Sequence, residues 1–482
     1  MPLRTPQQYV DSLKDGRSVY FRGQPVPDVT THPVIGQAVK HACIDYEMAE
    51  DAQHRDLATA TAPDSAKPFS RYYKLPQNTD DLLKRSALIE EATRIGATVV
   101  ILIKEIGTDA LFGLHLIANQ MDEQLGTKYL GRVRDFYRYC RDNDLALAVA
   151  QSDPKGDRRR GPSEQVHPDY YLHVVDRNDK GIVVRGAKVH TSVSTNSNEI
   201  IVLPTRAMGP NDGDYAVAFA TPANAPGLKM IASSYGSREH NDFEQPISSK
   251  HKMMETLTIY DDVFVPWERV FMCGETQFAG PLALAFVEFH RFTAISYKLP
   301  LVDVFVGATQ LMAEYNGIEK VPHVREKIFK LANYAETLRA LTRHAAMECH
   351  HDPVGLAVPN TLVVNMAKFH FATSYHQMLN YVQDITGGLI VTNVSKEDLE
   401  HPELGKYVDH YLGGKAGIRT EDRLRAINLV AELTANDLGG YHAVLAVHAE
   451  GSIEAEKLAI VRATNVAKSV AYAKELAGIN DR

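Results

Sequence analysis

Between about residues 150 and 276 the spacing of apolar residues changes character, and this constrains the fold most. Ile182-Val183-Val184, Glu199 to Leu203, Tyr215 to Phe219 and Leu257 to Tyr260 are short β-branched runs separated by Pro, Gly, Asn and Asp. With Leu228 to Ile231 they predict an antiparallel sheet or small barrel. The polar stretch Ser234 to Lys252 reads as a long, functional connection. On either side the period is helical. Thr79 reads as the N-cap of a helix reaching Ile95, with Asp80 and Asp81 in its first turn. Lys128 to Asn143 carries Val133, Phe136 and Tyr137 on one face. Ile328, Leu331, Ala335, Leu338 and Leu341 form a later stripe. Pro300 is expected to end or kink a helix begun near Leu282. Gly387-Gly388-Leu389 is expected to stop a helix, and Gly439-Gly440 to divide two late ones. The plan is α+β, with a helical domain over 1–147, a β-barrel over 148–276 and a helical bundle over 277–482.

At 482 residues the chain is too long for one simple core. Its net charge of −8 argues against nucleic acid as a partner. The first residues lack the apolar core of a signal peptide, and no apolar run is long enough to span a membrane. A cytoplasmic enzyme is the expectation. Cys43, Cys140, Cys273 and Cys349 form no CxxC-type pair, so local spacing indicates neither zinc nor an iron–sulfur cluster. His344, Cys349, His350, His351 and Asp352 fit no standard zinc pattern and read as a polar helix end before Pro353. The dinucleotide GxGxxG, Walker A, GxSxG and HExxH motifs are all missing.

Three segments carry candidate chemistry. Gln151-Ser152-Asp153-Pro154-Lys155-Gly156-Asp157-Arg158 is a charge-dense turn. It is either a solvated loop or a phosphate cradle in which Lys155 and Arg158 meet a pyrophosphate. Gly186 to Ser192 allows close approach and ends in His190, Thr191 and Ser192, which suit either an ordinary strand or a flavin's ring system. Glu288, His290, Arg291, Tyr297 and Lys298 share a largely apolar helix, with His290 and Tyr297 two turns apart on one face. Such a group either moves protons or is a satisfied core cluster. Glu255 is a possible general base or an ordinary carboxylate.

Taken in order, these segments make the chain resemble the 4-hydroxyphenylacetate 3-hydroxylase / 4-hydroxybutyryl-CoA dehydratase family along nearly its whole length. The same resemblance is carried by Cys273-Gly-Glu-Thr-Gln-Phe-Ala-Gly280, Phe289-His290-Arg291, Ala313-Glu-Tyr-Asn-Gly317 and Gly387-Gly-Leu-Ile-Val-Thr392. It is closer to the dehydratase branch. The resemblance implies an acyl-CoA-dehydrogenase-like fold, a homotetramer and FAD held by residues 151–158 and His190, Thr191 and Ser192. It also matches Glu255, His290 and Lys298 to dehydratase active-site positions, with Ser192 standing where the dehydratases have Thr.

Two departures then follow from the resemblance. Ile101, Glu105 and Tyr297 stand where the dehydratases carry the three cysteines of an iron–sulfur cluster, so FAD is expected without that cluster. The Arg/Tyr pair and the His of the phenol hydroxylases are missing, Val149 standing at the His position. The leading expectation is a two-component monooxygenase that uses reduced FAD from a separate flavin reductase, and O2, to hydroxylate an aromatic or other electron-rich small molecule. His290 would act there with Tyr297, Lys298 and Glu105. The alternative is a redox-neutral acyl-CoA isomerase or lyase, or a CH–CH dehydrogenase, in which Glu255 or His290 abstracts a proton.

Overall fold

Two open sheets occupy the middle of the chain. The computed structural model describes residues 3–62, 64–236 and 241–479. The larger sheet has six strands in the order Gln24–Pro25, Val19–Phe21, Leu228–Ala232, Glu255–Pro266, Gly181–Ser192 and His173–Arg177. The smaller has four, Val270–Cys273, Val217–Pro222, Glu199–Val202 and Leu147–Ala150. The expected closed antiparallel barrel is not found among the described residues. Val19–Phe21 pairs in parallel with Leu228–Ala232, and Leu147–Ala150 in parallel with Glu199–Val202. Both parallel partners come from upstream of the β-rich stretch. A strand arriving from a distant segment is free to run parallel, whereas a tight hairpin forces antiparallel pairing. Glu255–Pro266 and Gly181–Ser192 form the long central ladder, with Glu255 opposite Ser192.

Helices flank the sheets. Glu105–Leu125 is buried on nearly every side from Glu105 to Ala118, the pattern of a helix enclosed by protein. It packs along Thr276–Tyr297, which is followed after Lys298 by Leu299–Tyr315. Pro300 lies in the first turn of that second helix, where a missing N–H costs nothing. Pro322–Met347 and Thr361–Thr386 complete the bundle's long pair. No helix among the described residues is long and apolar enough to cross a membrane.

Three local expectations are corrected. The N-cap of Thr79–Ile95 is Asn78, whose side-chain oxygen accepts the Asp81 amide at 3.0 Å from an extended backbone. Tyr215 closes a short 3-10 turn, and the strand starts at Val217. Gly439-Gly440 lies inside the helix Asp437–His448, and the break falls at Ala435-Asn436. A Cβ on Gly439 would stand 2.6 Å from the Thr434 amide nitrogen, so the glycine permits tight contact between the two helices. Gly387, at φ 89°, does stop Thr361–Thr386. Of the 234–252 connection, residues 237–240 lie outside the described residues.

Candidate active site

The loop at 151–158 is fastened to the central ladder by a buried lysine. Lys188 Nζ pairs with Asp153 Oδ1 at 2.7 Å and donates to the carbonyls of Gln151 and Leu203 at 2.9 and 3.1 Å. The Val189 amide donates to the Ser152 carbonyl at 2.8 Å. Thus anchored, the loop turns outward: Lys155 and Gly156 adopt φ of 75° and 50°, and Pro154, Gly156 and Arg158 are exposed. His190, also left-handed at φ 55°, lies within the electrostatic reach of Lys155 and His448. Burial, Lys155 and His448 all push the His190 imidazole down.

Thr191 is fully buried, and its hydroxyl has no hydrogen-bond partner. An unmet buried hydroxyl costs free energy, which a ligand group placed there would recover. A cationic exposed turn and an unmet hydroxyl on the adjoining strand fit the pyrophosphate and ring system of FAD. Asp153 is an anchor of this loop and faces Lys188, so Lys155 and Arg158 are its cationic side chains toward solvent.

Ser192 leads from that strand into a second network. Its hydroxyl contacts both Glu255 oxygens at 2.9 and 3.0 Å, and the Tyr441 hydroxyl donates to Glu255 Oε1 at 2.7 Å. Burial raises the Glu255 carboxyl, against the lowering effect of Tyr441 and Ser192. Tyr441 stacks on Tyr235 with centroids 4.7 Å apart. The Lys252 ammonium stands 4.2 Å from the Tyr235 ring centre and donates to the Tyr235 carbonyl at 2.8 Å. Tyr235, Lys252 and Tyr441 wall a cleft of about 710 Å³, measured to its solvent-open mouth. Thr98 to Val100, Tyr297, Lys298, Phe371 and His442 line its other sides.

Behind Tyr297 and Lys298 lies Glu450, in the turn between Asp437–His448 and Ile453–Ala463. Its carboxylate accepts from the Tyr297 hydroxyl and, at 3.0 Å, from Lys298 Nζ. Glu450 is left-handed at φ 56°, and the Arg291 Nε donates to its carbonyl at 2.9 Å. The next residue, Gly451, adopts φ 106°, a left-handed backbone that favours glycine in this turn. Burial alone would raise the Glu450 carboxyl, but Lys298 and Lys368 outweigh it and hold it at about 2. Burial pushes Lys298 down to about 8 against the pull of Glu450. Tyr297, buried and beside that carboxylate, is pushed well up.

His290 is oriented separately. Its ring stacks on Phe286, and its Nδ1 stands 3.1 Å from Asp109 Oδ2. Asp109 is fully buried and is held by Arg85 at 2.7 Å and Thr293 at 2.9 Å. His290 and Tyr297 therefore share a helix face, yet they bond to Asp109 and Glu450 respectively. Glu105 is not brought to the cleft. It is fully buried one turn from Asp109, accepts the Lys104 amide at 3.1 Å and bears electrostatically on Asp45.

Ile101 and Val149 are buried apolar residues. The positions matched to the cluster's cysteines thus hold Ile101, Glu105 and Tyr297 and no thiolate, and the four cysteines are free on other elements. An iron–sulfur cluster does not fit this set. His350 and His351 form a short exposed strand against Ala357–Val358. No group of three or more His, Cys, Asp or Glu is placed to hold a metal among the described residues.

Sequence reasoning did not identify Glu450, Tyr441, Tyr235, Lys252, Lys368 or Asp109. Asp109 was readable as an acid one turn from Glu105 in an otherwise enclosed apolar helix. Glu450-Gly451 carried only the signal of a helix break.

Comparison with known proteins places these residues in a wider setting. Residues 5–272 match the model described as 4-hydroxyphenylacetate 3-hydroxylase N terminal, and residues 279–478 the model of its C terminal. A relative named 4-hydroxybutyryl-CoA dehydratase/vinylacetyl-CoA-Delta-isomerase, from Clostridium aminobutyricum, is 32% identical over 99% of this chain and 100% of its own. The solved structure of an oxygen-tolerant archaeal 4-hydroxybutyryl-CoA dehydratase from N. maritimus superposes with a TM-score of 0.93 at 31% identity, covering 100% of this chain and 96% of that one. The oxygenase component of 4-hydroxyphenylacetate 3-monooxygenase, solved with FAD and 4-hydroxyphenylacetate, gives a TM-score of 0.90 at 26% identity over 99% of both chains.

Proposed function

Because the chain belongs to the 4-hydroxyphenylacetate 3-hydroxylase family, a family of flavin-dependent enzymes, we propose that it binds FAD and catalyses a redox-neutral double-bond shift in a short acyl-CoA. Lys155, Arg158, His190, Thr191 and Ser192 would hold the flavin, which when bound supplies an electron-accepting surface beside the substrate. The observation that carries the reading is the opposed tuning of two buried carboxyls set behind one cleft, each bonded to side chains that line it: Glu450 to Tyr297 and Lys298, Glu255 to Tyr441. Glu450 is held ionised, and Glu255 is biased towards its neutral form. Environments that push two carboxyls apart divide them into base and acid. In this reading Glu450, behind the cleft wall, accepts through the Tyr297 hydroxyl a proton from the carbon beside the thioester carbonyl. Lys298, still protonated near neutrality, faces the charge that develops on the carbonyl oxygen. Tyr441 and Glu255 return a proton at the far end of the shifted double bond. The substrate gains and loses one proton, and no electrons leave it.

The C. aminobutyricum relative is named for two activities. Proton transfer to Glu450 and from Glu255 needs no thiolate-held cluster, which supports the isomerase half of that name for this chain. The two tuned carboxyls support taking the redox-neutral reading ahead of hydroxylation, which leads on the sequence. Anaerobic incubation of the FAD-loaded protein with vinylacetyl-CoA, followed by chromatography, is expected to give the conjugated isomer. Unchanged substrate would count against the reading.

Two-component hydroxylation is the second reading, favoured by the aromatic walls Tyr235, Tyr441 and Phe371, which suit a flat ring. It requires a separate reductase and O2. A homotetramer is supported by the apolar residues Val461, Val466, Val470, Tyr472 and Leu476 left exposed on the last two helices, which a second copy would cover.

A further inference from the structure

Lys368 projects from Thr361–Thr386 into the core, fully buried, and does not line the cleft. Its ammonium stands 3.7 Å from Glu450 Oε2 and 3.4 Å from Glu456 Oε1, and it donates to the Ala446 carbonyl at 3.1 Å. Ala446 is in the last turn of Asp437–His448, where helix carbonyls lack intrahelical partners. Glu456, in the first turn of Ile453–Ala463, is fully buried, and neither of its oxygens has a hydrogen bond. One ammonium thus bridges two buried carboxyls. We infer that Lys368 is a positioning residue whose one ammonium, shared with Glu456, acts with Lys298 to hold the charge of this cluster on Glu450. The inference rests on reading Glu450 as the proton acceptor.

The surroundings make the two carboxyls unequal. Glu450 is faced by His290, Arg291 and Tyr297 from Thr276–Tyr297, by Lys298 beyond it, and by Lys368. His442, from Asp437–His448, is burial-suppressed and faces Lys298. Glu456 has only Lys368 and, more distantly, Arg291 in its favour, with Glu450 against it, so burial raises it. As pH falls, Glu456 is therefore the first to take a proton. Lys368 then serves Glu450 alone.

Infrared titration of the full-length protein as purified tests this without substrate. Among the buried carboxyl steps, two belong to this cluster: the upper is lost in Glu456→Gln and the lower in Glu450→Gln. Lys368→Met removes a cation close to Glu450 and is expected to raise the Glu450 midpoint by about 1 pH unit or more. Lys368→Arg, which keeps the charge, should leave it nearly in place. Lys368→Gln replaces the Met variant should that one fail to accumulate. A Glu450 midpoint moved by less than about 0.3 units in a folded, charge-removed variant would overturn the inference. If neither neutral variant folds, Glu456→Gln decides alone, because persistence of both steps there would also overturn it. A shifted midpoint in a protein that isomerises nothing would sink the proposed reaction and leave the role of Lys368 standing.

Discussion

Lys298 Nζ lies 3.0 Å from Glu450 Oε2, although 152 positions separate the two residues. The contact joins the end of Thr276–Tyr297 to the turn before Ile453–Ala463, and it sets the charge state of the cleft. With Lys298 titrating near 8, its ammonium is lost on the alkaline side. The rate of isomerisation is expected to fall with an apparent pKa near that value, and Lys298→Arg should push the fall upward beyond it. Lys252 also titrates near 8, so Lys252→Met, which should leave the limb in place, separates the two. A pH–rate profile checks this.

The same pair gives a stability signature. The folded pKa of Glu450 is depressed, so its contribution is fully present above about pH 4.3 and is lost as pH falls towards 2. Lys298 is depressed too. Its native form releases the proton first, so its contribution improves as pH rises from 8 towards about 10.4. Denaturant titrations of wild type and Glu450→Gln should converge in acid and diverge near neutrality.

Asp109→Asn should be costly for a structural reason. The mutation leaves Arg85, which is 4% exposed, without its carboxylate. Breaking a buried pair from one side costs about 3–5 kcal/mol. Urea unfolding should read that loss.

Thr191→Val separates flavin binding from folding. The hydroxyl has no protein partner, so removing it should leave apoprotein stability within about 1 kcal/mol or raise it. Flavin affinity should fall by about 5-fold or more, the value of one hydrogen bond. Arg158→Ala should weaken flavin binding further, without changing apoprotein stability, because Arg158 is exposed. Fluorescence titration with FAD and thermal unfolding of the apoprotein check both variants.

Tyr441→Phe should keep Glu255 bonded to Ser192 while removing its link to the cleft. Turnover is expected to drop by about 10- to 100-fold with flavin affinity unchanged. Steady-state kinetics beside flavin titration would show the split.

The helical and β-rich stretches were legible because periodicity reports burial directly. Ile328 to Leu341 lie within one long helix, and Glu199 to Val202 within one strand. That the sheets stay open was not legible, because it depends on parallel pairing by Val19–Phe21, from far outside the β-rich stretch, and by Leu147–Ala150, at its edge. The site was half legible. His290, Tyr297 and Lys298 announce themselves as polar residues on an apolar helix. Their partners do not, since Asp109 and Glu450 meet them only through packing between distant helices. Glu105 shows the converse: its position drew attention, but its side chain faces the Lys104 amide and Asp45.

The central claim is that paired carboxyls move protons on an acyl thioester without oxygen. Vinylacetyl-CoA incubated anaerobically in D2O with the FAD-loaded protein, and read by mass spectrometry, tests it most directly. The account predicts solvent deuterium in the acyl chain, lost by about 100-fold or more in Glu450→Gln. Acyl-CoAs that stay free of deuterium, together with 18O from labelled O2 entering a phenol when reduced FAD is supplied, would contradict it.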